Sequence, residues 1–336
     1  MAISNDLARG LKKVDQDLAF MMGCFVEVLE QLEHKDLAGT LPWMGKRKLR
    51  GVQIFSYRGV QAYSIAFQLL NMVEENASAQ SKRLRESKNG LASDPGSWGR
   101  ALNRLRDSGL SDKQVAKRLN RIRVEPVLTA HPTEAKRATV LEIHREIYKL
   151  LVRRENSMWT VAEQRAIRDE IKVALERLWR TGEFYQQKPD VQSELRNINY
   201  FLSKVFPDAL VSMDLRLRQA WEEAGFSADK IEHPDSMPMV TMGTWVGGDR
   251  DGHPLVTAEV TTRALNLFRS TALDIANERL ETLGQRLSLG DHLQLPPAVF
   301  VKQVEKHAAV QGEAGEAALK RNIGETWRQY INLIRL

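Results

Sequence analysis

The chain has 336 residues, 43% of them hydrophobic and 27% charged, a balance that excludes a disordered or fibrous polymer and allows a sizeable core. Apolar stretches such as residues 18–22 and 65–67 are far shorter than the ~20 residues that cross a bilayer, and the first ten residues hold neither the apolar core nor the cleavage site of a secretory signal. Forty-nine basic residues against 43 acidic ones leave a net charge of +6, but no helix-turn-helix, zinc or aromatic-basic signature accompanies it, so nucleic acid is not the expected partner.

Helical periodicity dominates the first third. Leu7, Leu11, Val14, Leu18, Met21, Phe25, Val26, Leu29 and Leu32 recur at steps of three and four, which predicts one helix of roughly seven turns, ended by the glycines and proline of residues 39–45. The single cysteine, Cys24, falls on this helix among Met22, Phe25 and Val26 and reads as a packing residue; with no disulfide and no export signal, a cytoplasmic location is expected. A second helix is predicted with Val60, Tyr63, Phe67, Leu70 and Val73 on one face, dissolving into the polar run 78–89, and residues 89–98 read as a loop. Ser111 and Gln114 form a capping box for a short helix with Val115, Leu119 and Ile122 that stops before Pro126.

The next segment differs in kind. Residues 126–132 are apolar and β-branched between two prolines, which predicts one buried strand; Thr133 would cap a helix carrying Val140, Ile143, Ile147, Leu150 and Leu151. Helix is expected over 161–181 and again over 191–225. Residues 239–246 then read as a second strand, followed by a glycine-containing polar loop and a helix capped by Thr257 that runs through Ala264, Leu267, Leu273 and Leu280. The chain is therefore expected to be predominantly α-helical, with a helical arm over 1–125. A helix-rich region comes after it over 126–336, in which two strand-loop-helix units, 126–155 and 239–285, are the first strands of a partial parallel TIM-type barrel.

Two loops at strand-to-helix junctions concentrate unusual chemistry. In the first, Pro132 stiffens the backbone after His131 just where a helix opens, a place suited to anions and proton transfer. A histidine that merely caps or packs at a strand end fits the same residues. In the second, residues 243–254, the glycines Gly247 and Gly248 allow backbone amides to approach a ligand, and Arg250 offers a planar fork to phosphate or carboxylate that Asp249 and Asp251 would orient. An ordinary tight turn whose aspartates pair with Arg250 is the competing reading. The acidic spacing is not that of an EF-hand, and no P-loop or dinucleotide fingerprint is present.

Together, Val127-Leu-Thr-Ala-His-Pro-Thr-Glu134 and Gly243-Thr-Trp-Val-Gly-Gly-Asp-Arg-Asp-Gly-His-Pro254 resemble the two signatures of the phosphoenolpyruvate carboxylase family. Between them, Leu178-Trp-Arg-Thr-Gly-Glu183 with Lys188-Pro189 is similar to a tryptophan-threonine-glutamate element of that family, and Ala66-Phe67 with Asn71-Met-Val-Glu-Glu-Asn76 is similar to its amino-terminal arm. The resemblance implies carboxylation of phosphoenolpyruvate with bicarbonate to oxaloacetate and phosphate, using Mg2+ or Mn2+, through carboxyphosphate and an enolate. It makes His131 the catalytic histidine. Trp245 would be a wall around the substrate methylene, and Arg250, Asp249, Arg137, Gly247 and Gly248 would bind substrate. Three departures stand out: Ala138 follows Arg137 where a second arginine is usual, Phe184-Tyr-Gln-Gln187 replaces basic residues, and His253 stands where asparagine is common.

Family members are much longer, and the metal ligands, further phosphate-binding arginines and a mobile loop are expected in their carboxy-terminal part. The chain is therefore expected to be an incomplete catalyst, weakly active or inactive alone. Its partner would be a complementing carboxy-terminal half, and the resemblance implies a homo-oligomer, a tetramer in the family. The alternative is a non-catalytic helical anion-binding or interaction protein derived from the same fold.

Overall fold

The computed structural model describes residues 5–43, 56–129, 138–182, 190–251 and 254–336. The chain divides into two compact units, residues 1–197 with 208–244 and residues 198–207 with 245–336. Helices dominate both. Among the described residues no helix is long and apolar enough to cross a membrane.

In the first unit, α1 (Asn5–Gln31) buries Leu18, Met21, Phe25, Val26 and Leu29, as the periodicity predicts. It stops earlier than the glycine-proline stretch. Glu33 takes a left-handed φ of 62°, and the His34 amide donates back to the Leu29 carbonyl at 2.8 Å, a Schellman-type closure without glycine. After the short α2 (Lys35–Ala38), α3 (Tyr57–Asn89) starts on a Ser56 cap and continues through the polar run in which apolar periodicity alone predicts that it fades. The reason is that Ala, Gln, Lys, Arg and Glu are good helix formers, and ion pairs tie this stretch down: Arg85 and Lys82 to Asp94, and Arg216 to Glu86. The predicted face is also rotated. Val60 and Phe67 are half exposed, and Ile65, Leu69, Met72 and Val73 form the buried stripe; Phe67 is met instead by Trp43, edge to face.

The helices α4 (Trp98–Asp107) and α5 (Asp112–Leu119) come next, the latter with both halves of the Ser111–Gln114 capping box in place. After the strands come α6 (Ala138–Arg154) and α7 (Val161–Thr181), the last with a second capping box, Thr160–Glu163. Met21, Phe25 and Leu29 of α1, Ile65 and Leu69 of α3, Ile147 and Leu151 of α6 and Ile171, Leu175 and Leu178 of α7 make one core. Each such side chain contributes about 1.5–3 kcal/mol by leaving water. Cys24 lies in this core, fully buried.

Further along the chain, α8 (Val191–Tyr200) leads into a π-helical turn, Phe201–Val205, and then α9 (Phe206–Glu223). Pro207 explains the widened turn, since it has no N–H for the Ser203 carbonyl and its ring would strike that carbonyl in a regular helix. Leu217 and Trp221 of α9 pack with Leu102, Val115, Leu119 and Phe226 in a second core, where the Trp221 indole N–H donates to the Ser227 carbonyl at 2.9 Å.

The predicted strands form, but each as two short segments, the first beginning three residues earlier than expected and the second at the expected Met239. The first consists of β1 (Arg123–Val124) and β2 (Val127–Leu128), the second of β3 (Met239–Val240) and β4 (Gly243–Thr244). They pair in parallel, Arg123 with Met239 and Val124 with Val240, then Val127 with Gly243 and Leu128 with Thr244, so one register holds on both sides of Glu125 and Pro126. Pro126 cannot donate, yet its carbonyl accepts the Gly243 amide at 3.0 Å. The expected burial is not seen: Val127 is 44% exposed and Val124 and Met239 about half, and among the described residues each strand pairs only with the other, which leaves both outer edges of the ladder open.

In the second unit, α10 (Ala258–Arg286) starts on the expected Thr257 cap, which accepts the Val260 amide at 3.3 Å. The remaining helices are α11 (Ala298–Val310), α12 (Gly312–Arg321) and α13 (Thr326–Ile334), with Val304, Ala308, Ala318 and Leu333 at their centre. Gly315 is required there: a Cβ at that position would lie 2.1 Å from the Ala308 carbonyl oxygen.

Candidate active-site loop

The loop that follows the second strand carries the candidate chemistry, and the strands before it are held in close register. Between the strand segments, Thr241 Oγ1 donates to Glu125 Oε2 at 2.8 Å, and a Cβ on Gly243 would stand 3.1 Å from the other Glu125 oxygen and 3.3 Å from Val127 Cγ2. A glycine here lets the second strand run close beside that carboxylate.

After Thr244 the backbone turns sharply. The Trp245 carbonyl accepts the amides of Gly248 at 3.0 Å and Asp249 at 2.9 Å, and Gly247 occupies a left-handed φ of 79° that a side chain would strain. Val246 and Gly247 are buried under this turn while the Trp245 side chain stands out, the residue being 56% exposed. Asp249 Oδ1 accepts the Asp251 amide at 3.1 Å, an Asx turn that spends the carboxylate on the backbone. Arg250 Nη2 donates to Thr261 Oγ1 at 3.2 Å, and that hydroxyl is within 3.2 Å of the Thr257 carbonyl.

Neither arrangement expected for Arg250 is seen. Among the described residues no carboxylate pairs with Arg250, so Asp249 and Asp251 neither orient it nor neutralise it. A threonine one turn into α10 holds it instead. The exposed guanidinium keeps most of its donors, and it sits by the first turn of a long helix, whose open amides also favour negative charge. Thr261 and Glu125 are the two side chains that sequence reasoning missed. Neither has a local signal, since a threonine inside a helix and a glutamate before a proline are each unremarkable until folding gives them partners.

His131, Arg137 and the expected Thr133 cap lie outside the described residues, as do residues 183–189, Gly252 and His253. Of the intervening element, Trp179 is described and is structural: it packs against Phe25 and His34, and its carbonyl accepts Gln61 Nε2 at 2.7 Å. Among the described residues no three His, Cys, Asp or Glu side chains converge as ligands for a metal ion.

Comparison with known proteins matches residues 51–336 to the family model for phosphoenolpyruvate carboxylase. The chain is 32% identical over 281 residues to a phosphoenolpyruvate carboxylase of Methylorubrum extorquens, covering 82% of this chain and 30% of that protein. It is 29% identical over 276 residues to the enzyme of that name from Xanthomonas euvesicatoria, again 82% of this chain and 30% of the relative. For one from Rhodopseudomonas palustris the figures are 32% over 240 residues, 70% and 25%. The chain thus spans less than a third of the length of these curated relatives.

Proposed function

Because the chain belongs to the phosphoenolpyruvate carboxylase family, we propose that it supplies part of a site that carboxylates phosphoenolpyruvate with bicarbonate, yielding oxaloacetate and inorganic phosphate. The observation that carries this reading is Arg250, an exposed guanidinium with no carboxylate partner among the described residues, anchored by Thr261 at the first turn of α10. It would bind the phosphate or carboxylate of the substrate, with the cation of Arg137 adding to the attraction for anions, while Gly247 and Gly248 shape the turn that presents it, the Gly248 amide being held by the Trp245 carbonyl. Asp249 fixes the loop through the Asp251 amide. Trp245 would give the substrate methylene an apolar wall that keeps water from protonating the enolate. His131 would take the proton of carboxyphosphate as it breaks to carbon dioxide and phosphate.

The family's divalent cation, Mg2+ or Mn2+, would balance substrate charge; the described residues do not form a ligand set for it. The open parallel ladder supports a partial barrel. Parallel strands are ordinarily covered on both faces, and the exposed Val124, Val127 and Met239 would be covered by further strands and helices, supplied by a complementing carboxy-terminal half. On this reading the 336-residue chain alone turns over slowly or not at all, works in the cytoplasm, and assembles as a homo-oligomer only with that half. The test is oxaloacetate formation with bicarbonate and Mg2+, by the chain alone and with the carboxy-terminal part of a relative added. Robust turnover alone would overturn the partial site. In the complemented protein His131→Asn should abolish carboxylation, and unchanged activity would remove His131 from the mechanism.

One feature favours the non-catalytic alternative: Ala138 follows Arg137, where the family pattern has a second cation. Phosphoenolpyruvate binding by calorimetry, with no turnover under any complementation, would support it.

A further inference from the structure

At the opposite end of the ladder from Gly243, the first unit contains a cavity of about 540 Å³, walled by the start of both strands, by α9 and by residues 234–238. That volume falls in the range of small-molecule sites. Its wall is mainly apolar and adaptable, with Leu210, Met213, Met237, Pro238 and Met239.

The charged groups in this wall are left in an unusual state. Asp214 is half-buried on α9, yet it makes no hydrogen bond or ion pair among the described residues, although Arg218 lies one helical turn further along the same helix. Arg218 turns away: Nη1 donates to the Ile231 carbonyl at 2.7 Å and Nη2 to the Glu232 carbonyl at 3.3 Å. Arg123 is held in a similar way, with Nη1 donating to the carbonyls of Asn120 at 2.7 Å and Ile122 at 3.0 Å. Each guanidinium is thereby fixed in place by neutral acceptors, keeps donors to spare, and has no carboxylate partner among the described residues. Asp235, the other acid at the rim, is almost fully exposed and faces His233 at 3.3 Å. Asp214 thus keeps an open carboxylate for a cation, and two arginines without acids are matched to an anion. One ligand that satisfies both must carry a cation and an anion on an apolar body.

We infer that this cavity binds a small apolar zwitterion, of the size of a dipeptide with free termini. Asp214 accepts its ammonium group, Arg123 and Arg218 receive its carboxylate, and the methionine-rich wall covers its side chains. None of its residues belongs to the loop after Thr244, but Met239 also lies on the ladder that the complementing half would cover, so the inference concerns the 336-residue chain by itself.

The experiment is calorimetric titration of the 336-residue chain with L-leucyl-L-leucine, N-acetyl-L-leucyl-L-leucine, L-leucyl-L-leucinamide and the doubly blocked peptide. The free dipeptide should bind saturably, and blocking either end should weaken it about tenfold, the loss typical of one charge-assisted contact. Asp214→Asn should cost the free dipeptide a similar factor and leave the N-acetyl peptide unaffected; Arg123→Gln should do the same for the amide. Because Asp214 has no partner to lose, Asn is isosteric there and the fold should persist by circular dichroism, so this arm decides even if the arginine variant unfolds. Absence of saturable binding, equal binding of the doubly blocked peptide, or an Asp214→Asn protein that binds like the wild type would each overturn the inference.

Discussion

Arg154 Nη1 lies 3.1 Å from an oxygen of Asp17, whose side chain is only 4% exposed. Lys13 Nζ bridges the other Asp17 oxygen at 2.8 Å and Glu155 at 2.6 Å, and Asn76 Nδ2 donates to the same Glu155 oxygen at 2.8 Å. One polar cluster therefore ties α1, α3 and the end of α6 together. Removing one member of a buried pair costs ~3–5 kcal/mol. Since Lys13 and Arg154 are about a third exposed, solvent screening reduces this, and Asp17→Asn should lower unfolding stability by about 1–3 kcal/mol. An unchanged urea midpoint would refute it.

The same cluster has a pH signature. Burial alone would pull the Lys13 ammonium down, but hydrogen bonds and charges from Asp17 and Glu155 outweigh it and hold the group above the ordinary lysine value. A raised folded pKa means the folded chain keeps the proton longer. The contribution is thus complete below the unfolded value of about 10.4 and is lost as pH rises through the higher folded one. Thermal unfolding between pH 9 and 12 should fall more steeply for the wild type than for Lys13→Met; parallel curves would contradict this.

Cys24 should be inert in the native protein. Burial pushes its thiol up to about 11, so thiolate is scarce at pH 8 and the sulfur is shielded from solvent. Labelling by a disulfide reagent at pH 8 is expected to appear only as urea unfolds the chain. Rapid labelling in native buffer would show that the α1 core opens readily.

Gly247 bears on the candidate loop directly. A side chain at φ 79° costs about 1–2 kcal/mol, and the turn it closes positions Trp245 and Asp249. Gly247→Ala in the complemented protein should reduce kcat/KM for phosphoenolpyruvate several-fold, while Gly247→Asn, which tolerates this region better, retains more activity. Equal kinetics for all three proteins would separate the turn from the chemistry.

Arg250 and Thr261 should differ in kind. Arg250→Lys loses the planar fork, and phosphoenolpyruvate binding without metal should weaken by about tenfold. Thr261→Val removes only the hydrogen bond that positions the guanidinium, about twofold to fivefold by the net worth of one neutral hydrogen bond. Calorimetry distinguishes the two, and an effect of Thr261→Val equal to that of Arg250→Lys would mean that the hydroxyl itself touches the ligand.

Local chemistry makes much of this protein readable before folding. The capping pairs Ser111–Gln114 and Thr257–Val260, the full extent of α7 and the apolar stripe of α1 all depend on residues within a turn or two of one another, and each appears where periodicity places it. The signature around Trp245 and Arg250 is likewise legible, because a run of glycines and charges has a pattern of its own. Composition hides anything settled by a distant partner. The polar end of α3 stays helical because Asp94 and Arg216 hold it, and which of its two apolar stripes is buried, the one with Ile65 and Leu69 rather than the one with Val60 and Phe67, follows the neighbouring helices. The register that joins Arg123 to Met239 spans a large sequence separation. Arg250 goes to Thr261 rather than to its adjacent aspartates, and Asp214 is left without Arg218, because carbonyls and hydroxyls brought in by the fold compete for the same guanidinium donors. Short-range hydrogen bonding and periodic burial are encoded residue by residue, whereas the choice among several polar partners is made only when packing decides which of them arrive within hydrogen-bonding reach.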